Sequence, residues 1–152
     1  MIAEWVALPE IATMADCEVA VAGSDLSPPA ITYLVRERTW RLERPYVYAS
    51  NDWHIRVDEG FLFDLASIPR AAWSLCAPFE LSIAGPLIHD ALYKSGGQSR
   101  GLVRIYPRRT FTRAGADRLF LNMLHEEGVP LWRRRPAHGA VRLFGASAWR
   151  AG

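Results

Sequence analysis

The chain has 152 residues, of which 50% are hydrophobic and 11% aromatic, enough apolar material for the core of one domain. This composition argues against a disordered chain, and no apolar run approaches the roughly 20 residues of a membrane-spanning helix. The formal net charge of +2 is too small for a dedicated nucleic-acid binder, which normally carries a strong basic excess.

Two features bear on where the chain resides. Cys17 and Cys76 are the only cysteines, too few for a disulfide framework, and we expect both to be reduced. The first residues, "MIAEWVALPE", lack the basic start of a signal peptide. We therefore expect the chain to stay in the cytoplasm of a host cell or to be assembled there into a larger particle.

The first half of the chain is rich in predicted strands. Residues 1–30 are predicted to be an N-terminal arm or extra strand, because "CEVAVAG" alternates and the loop "SDLSPP" follows it. The remaining residues, 31–152, are expected to form a single α+β domain. In "ITYLVRERTWRLERPYVYA", Pro45 divides two strands or marks an edge strand. With the turns "NDW" and "DEG" further on, this half is predicted to be an antiparallel sheet.

Helices are predicted to follow the sheet. "GPLIHDALYKSGG" has Pro86 in its first turn and Gly96 past its end, as helices commonly do. In "TRAGADRLFLNMLHEEG", Thr112 can cap a helix and Gly128 can end it. The alternating segment "GLVRIYPRRTF" predicts a small hairpin or wing between these two main helices. "VPLWRRRP" is predicted to be a connector and "AHGAVRLFGASAWR" a C-terminal helix, so two to four helices should pack on the sheet.

The first of these helices carries the residues best suited to chemistry. His89 and Tyr93 are four positions apart, and Asp90 and Tyr93 three, so the three side chains can line one wall of a pocket. Histidine suits a general base because it titrates near neutral pH. Asp90 points about 100° away from His89, so it is poorly placed to orient the imidazole. Asp117, on an otherwise apolar stripe of the next helix, is the better partner.

The same residues also have a structural interpretation. His89 could be a core histidine bonded to a backbone carbonyl, and Asp90 could interact with the dipole of its helix. Asp117 could stabilise its own helix and pair with Arg113 or Arg118. For the set as a whole, the catalytic and the structural interpretations are equally supported by the sequence.

A second group of polar residues lies in "GFLFDLASIPR". The glycine can adopt a positive φ, and the segment carries the signal of a strand that runs into a helix. In the structural interpretation, this segment forms the corner between the strand and the helix, and Asp64 helps to stabilise it. The other residues of this predicted corner are Gly60, Ser67, Pro69 and Arg70. In the functional interpretation, Asp64 lies beside Asp90 and the two carboxylates bind a hard divalent cation, with calcium as the first choice.

The run Arg133 to Arg135 is a further candidate binding feature. It could bind an anionic surface, although a run of three cations is more often a solvated face.

Four segments follow one another along the chain: "GFLFDLASIPR", "LIHDALY", "RAGADRLFLNML" and "AVRLFGASAW". In this order they resemble a phage- and prophage-associated family known as domain of unknown function 1353. The resemblance extends roughly from Trp40 to Trp149, with one departure at Phe63, where the family usually has threonine. It implies a phage or prophage origin, with other phage proteins or a component of the host envelope as partners.

The pattern H-D-x-x-Y, followed by an aspartate on the next helix, is similar to the secreted calcium-dependent phospholipases and to the phospholipase domain of parvovirus capsids. The similarity implies that His89 activates water, Asp90 binds calcium, Tyr93 supports the site and Asp117 orients the histidine. The glycine-rich calcium loop and the disulfides of those enzymes have no counterpart here.

Three functions therefore remain open. The first is a metal-assisted hydrolase of a host-envelope ester or amide. The second is a structural or assembly component of a phage tail or baseplate, in which the same polar residues form a buried network. The third is a phage factor that binds a host protein.

Overall fold

The computed structural model describes residues 28–63 and 83–150. Within these ranges the strands precede the helices, apart from one strand between the first two helices, so the fold is α+β, as predicted. The elements are β1 (Ile31–Leu34), β2 (Thr39–Leu42), β3 (Tyr46–Ala49), β4 (His54–Val57), β5 (Leu62–Phe63), α1 (Ala84–Ser95), β6 (Val103–Tyr106), α2 (Arg113–Glu126), α3 (Leu131–Phe144) and a short 3-10 turn (Gly145–Ser147).

Several features of the sequence analysis lie outside the described residues. They include the predicted N-terminal arm up to residue 27 and most of the predicted corner. Gly60 is described, and it has a φ of 83°, which suits the turn between β4 and β5. The residues that the sequence analysis named and that lie outside the described ranges are Cys17, Asp64, Ser67, Pro69, Arg70 and Cys76.

Two small antiparallel sheets form from the described strands. In the first, β2 lies between β1 and β5, and Trp40 is opposite both Tyr33 and Phe63. In the second, β4 lies between β3 and β6, and Ile55 is opposite Ile105. Ile55 and Ile105 are β-branched and buried, so β4 and β6 both contribute to the core.

The strand-rich half differs from the prediction in two respects: its strands belong to two sheets rather than one, and its first run contains an additional turn. Pro45 separates β2 from β3, as expected. The run before it contains two strands rather than one, because a turn with Arg38 at a φ of 53° reverses the chain between β1 and β2. That turn contains neither glycine nor proline, so the usual turn signal is missing from the sequence.

The segment between the two main helices supplies β6. This strand pairs with β4 along its full length and so becomes the third strand of the second sheet. Pairing satisfies backbone groups along β4 that would otherwise lie at an open sheet edge.

Helices α1 and α2 have the ends that were predicted. Gly96 follows α1 in the left-handed conformation, with a φ of 65°, and the Gly97 N–H bonds to the carbonyl of Leu92 at 2.8 Å. At the start of α2, the Thr112 hydroxyl accepts a hydrogen bond from the Gly115 N–H at 3.0 Å. The two helices pack against each other, and α1 is buried on nearly all sides.

The prediction of a connector before the last helix was wrong. Helix α3 already begins at Leu131 and contains the arginine run, and the Arg133 and Arg134 N–H groups both bond to the carbonyl of Pro130. Pro136 lies inside the helix, where it removes the hydrogen bond to the carbonyl of Trp132. Trp132 is exposed, so water can satisfy that carbonyl.

Candidate active site

The candidate site lies where α1 packs on α2. The Nε2 atom of His89 is 2.8 Å from Oδ1 of Asp117, so the contact expected from the sequence is present. His89 retains 5% of its surface exposed, whereas Asp117 has none. Both side chains therefore lie in the core, where an unpartnered carboxylate would be costly.

Two further side chains bind the same carboxylate. The Tyr93 hydroxyl, from the same helix as His89, donates to Oδ1 at 2.5 Å, and Arg142 of α3 donates to Oδ2 at 2.9 Å. Burial by itself would raise the pKa of Asp117, but the hydrogen bonds from His89, Tyr93 and Arg142 outweigh it and lower that pKa to about 2. Asp117 is therefore ionised at neutral pH.

The charge of Asp117 determines the tautomer of the histidine. An ionised carboxylate can only accept hydrogen bonds, so Nε2 of His89 must carry a proton and Nδ1 of the neutral ring is left as an acceptor. No described group forms a hydrogen bond with Nδ1. The ring is held between Tyr93 and Phe120, at centroid distances of 4.2 and 4.9 Å. The imidazole is thus oriented from one side, and its second nitrogen is uncommitted within the described part of the chain.

Tyr93 acts as a hydrogen-bond donor in this arrangement. Burial, followed by the hydrogen bond to the Asp117 carboxylate, raises the pKa of Tyr93, so the phenol stays protonated. Its ring contacts Trp149 edge-on at 5.1 Å. A Cβ atom at Gly145 would lie 2.5 Å from the phenol oxygen, so only glycine leaves room for the tyrosine. The segment after α3 therefore closes one side of the site.

Arg142 and Gly145 contact the candidate site, and the sequence analysis did not identify them individually. Both belong to the segment "AVRLFGASAW", which carried part of the family resemblance, and that is the signal that could have found them. The arginine considered earlier, Arg113, instead donates to the backbone carbonyl of Arg142 at 3.2 Å. The cation paired with Asp117 thus comes from a different helix.

Asp90 is buried beside the site and faces another residue of its own helix. Its Oδ2 atom lies 2.9 Å from Nζ of Lys94, four positions further along. Lys94 also donates to the carbonyl of Leu62 at 2.6 Å and lies 5.3 Å from the centre of the Phe61 ring. The i, i+4 spacing of an acid and a lysine was visible in the sequence as the signal for this ion pair.

The described residues by themselves do not complete the calcium site predicted at Asp90 and Asp64. Among them, no group of three or more His, Cys, Asp or Glu side chains is arranged to hold a metal ion. The carboxylate of Asp90 already faces an ammonium group, and Asp64 lies outside the described residues. A calcium ion normally takes six to eight oxygen ligands, so any site at Asp90 would need further ligands besides this carboxylate.

A cavity of about 280 Å³ lies at the C-terminal end of α1. Lys94, Arg100 and Arg150 are among its lining residues, whereas His89 and Asp117 are not. The cavity and the His89–Asp117 contact are therefore separate features of the described surface.

Comparisons with known proteins identify a family. A family model described as "Protein of unknown function (DUF1353)" matches residues 40–141, which include His89, Asp90, Tyr93 and Asp117. A search of curated proteins and a search of solved structures gave no significant match.

Proposed function

The chain belongs to the DUF1353 family, whose description states no activity, and on that premise we propose from the geometry that it is a phage-encoded hydrolase. The observation that carries the proposal is the hydrogen bond from His89 Nε2 to an Asp117 carboxylate that Tyr93 and Arg142 also hold. This arrangement is what a histidine needs to act as a general base through Nδ1.

The proposed reaction is the hydrolysis of an ester or amide of the host envelope. Nδ1 of His89 takes a proton from water while the water oxygen attacks the carbonyl carbon. The imidazolium that forms is stabilised by Asp117, and the bond to the leaving group then breaks. The proton on Nδ1 passes to the departing oxygen or nitrogen, which returns the ring to its starting state.

Two properties of the site support this division of roles. His89 keeps a small exposed fraction whereas Asp117 is fully buried, so the histidine is the member that water can approach. The three donors on Asp117 stabilise its charge, which lets it support a cation on the ring without taking up the proton itself.

The second candidate function is a structural or assembly component of a phage particle. The burial of His89, Asp117 and Tyr93 favours it, because a satisfied polar network can specify a core without any chemistry. The cavity at the end of α1 also does not include His89. This alternative predicts a stable protein with no hydrolytic activity.

The test is an esterase assay with p-nitrophenyl butyrate and with phospholipid vesicles, comparing the wild type with His89→Gln. Loss of the general base should lower the rate by about 100-fold or more. The matched control is His125→Gln, on the exposed surface of α2, which should keep the wild-type rate.

Folding of each variant is checked by circular dichroism and thermal unfolding. If His89→Gln is poorly folded, His89→Asn is measured in its place and should show the same loss of rate. Hydrolysis that His89→Gln leaves unchanged, or no hydrolysis of either substrate, would favour the structural alternative.

A further inference from the structure

The side of α3 turned away from the core exposes apolar side chains. Trp132 is 64% exposed and Leu143 77%. In a helix these two positions lie about 20° apart around the axis and about 17 Å apart along it. They therefore stand on one stripe at opposite ends of α3. We call this surface the α3 outer face, and its exposed members are Leu131, Trp132, Arg135 and Leu143.

The charged residues of α3 and of the segment after it have one sign. From Gly128 to Gly152 the sequence contains five arginines and neither aspartate nor glutamate. The guanidinium of Arg133 lies 4.8 Å from the centre of the Trp132 ring. Arg135 is exposed and forms no ion pair with any described residue. The apolar stripe is thus accompanied by cations and lies in a segment without acids.

Exposed tryptophan and leucine beside arginine are suited to the surface of a membrane with anionic lipids. Tryptophan prefers the headgroup region, where its ring is partly buried, and arginine can pair with lipid phosphates there. A nucleic acid would use the arginines but would leave Leu143 without apolar contacts. No described helix is long and apolar enough to cross a membrane, so α3 would lie on the surface.

We propose that the α3 outer face binds the surface of an anionic lipid membrane. Trp132 and Leu143 enter the headgroup region, and Arg135 contacts lipid phosphates. This inference does not depend on the proposed hydrolase, because it concerns binding rather than reaction. The same helix contributes Arg142 to the Asp117 carboxylate, so binding would bring the candidate site near the membrane.

The test measures co-sedimentation of the full chain with phosphatidylcholine vesicles that contain or lack phosphatidylglycerol. We expect binding to the anionic vesicles to exceed binding to the neutral ones by about tenfold or more. High salt should weaken it, because the exposed arginines are screened. Activity is not part of the readout, so a failed hydrolase proposal leaves this result interpretable.

Variants locate the binding surface. The double change Trp132→Ser and Leu143→Ser should reduce binding to anionic vesicles by about tenfold, and Arg135→Gln should reduce it less. The matched controls are Val35→Ser, in the exposed turn between β1 and β2, and Arg108→Gln, which should bind like the wild type.

Three outcomes would overturn the proposal. The first is equal binding to neutral and anionic vesicles, and the second is unchanged binding by the double variant. The third is a protein that ignores vesicles but binds duplex DNA, or self-associates, through the same residues. All the changed side chains are exposed, so loss of folding is not expected to obscure the result.

Discussion

Arg142 of α3 donates a hydrogen bond to Asp117 of α2 across 2.9 Å. Since the same carboxylate binds His89 and Tyr93 of α1, one buried charge connects all three described helices. The site therefore depends on the packing of the helices. Removing any one donor should lower the stability of the protein and disturb the orientation of the histidine.

Replacing Arg142 by methionine tests the contribution of α3. The Asp117 Oδ2 atom would lose its donor, and we expect the free energy of unfolding to fall by about 1 kcal/mol, because the arginine is partly exposed to solvent. Arg118→Met, on the exposed surface of α2, is the control and should change little. Urea unfolding of both variants gives the comparison. Equal losses of stability would show that Arg142 contributes no more than an exposed arginine.

Asp117→Asn should be the most destabilising change at the site. The amide keeps one acceptor oxygen for His89 and Tyr93, but its NH₂ group then faces the guanidinium of Arg142. We expect a loss of about 3 kcal/mol, as for a broken buried ion pair. Glu59→Gln, an exposed change of the same kind, should be neutral. Thermal unfolding that does not distinguish the two variants would contradict the network.

Stability should depend on the ionisation of Asp117 at acidic pH. Its pKa is lowered from 3.8 to about 2 in the folded protein, so the unfolded chain takes up the proton first as the pH falls. The contribution is complete above about pH 4 and should be lost between pH 4 and pH 2, amounting to roughly 2 kcal/mol. Chemical unfolding of the wild type and Asp117→Asn across this window isolates the effect, and a constant difference between them would refute it.

Gly145→Ala should disturb Tyr93 from outside the hydrogen-bonded network. The new methyl group would lie 2.5 Å from the phenol oxygen, so the tyrosine must move and its bond to Asp117 must lengthen. We expect a loss of about 1–3 kcal/mol. Gly139→Ala is the matched control: a Cβ there meets nothing within 4 Å, so it should be neutral or slightly stabilising.

A double-mutant cycle with Tyr93→Phe assigns that loss to the phenol. Without the hydroxyl, the nearest contact of the new methyl group disappears, and Gly145→Ala should become less costly. An equal cost in both backgrounds would show that Tyr93 is not the obstacle.

Calcium should not stabilise the wild-type protein, because Lys94 already faces the Asp90 carboxylate at 2.9 Å. The measurement is the melting temperature in calcium and in a chelator, for the wild type and for Asp90→Asn. A calcium-dependent rise in the wild type that Asp90→Asn abolishes would instead assign Asp90 as a ligand.

The ends of the helices and the class of the fold followed from local patterns. Gly96, Thr112 and Gly128 act through their own backbone or the next turn, so sequence neighbours suffice to predict them. The contact between His89 and Asp117 was also expected, because helical spacing left the histidine without a suitable acid on its own helix. Two features were not expected: the turn at Arg38 and the start of α3 at Leu131. Neither has the residues that usually mark a turn or the start of a helix.

By itself the sequence determined an α+β protein with a histidine helix, a second helix bearing an acid, and membership of one family. Only the tertiary structure decided that Arg142 completes the Asp117 site, that Gly145 makes room for Tyr93, and that Trp132 stays exposed. All three depend on how α3 and the segment after it lie against α1 and α2. Periodicity within one helix predicts which residues share a face, but it cannot say which face of another helix they will meet.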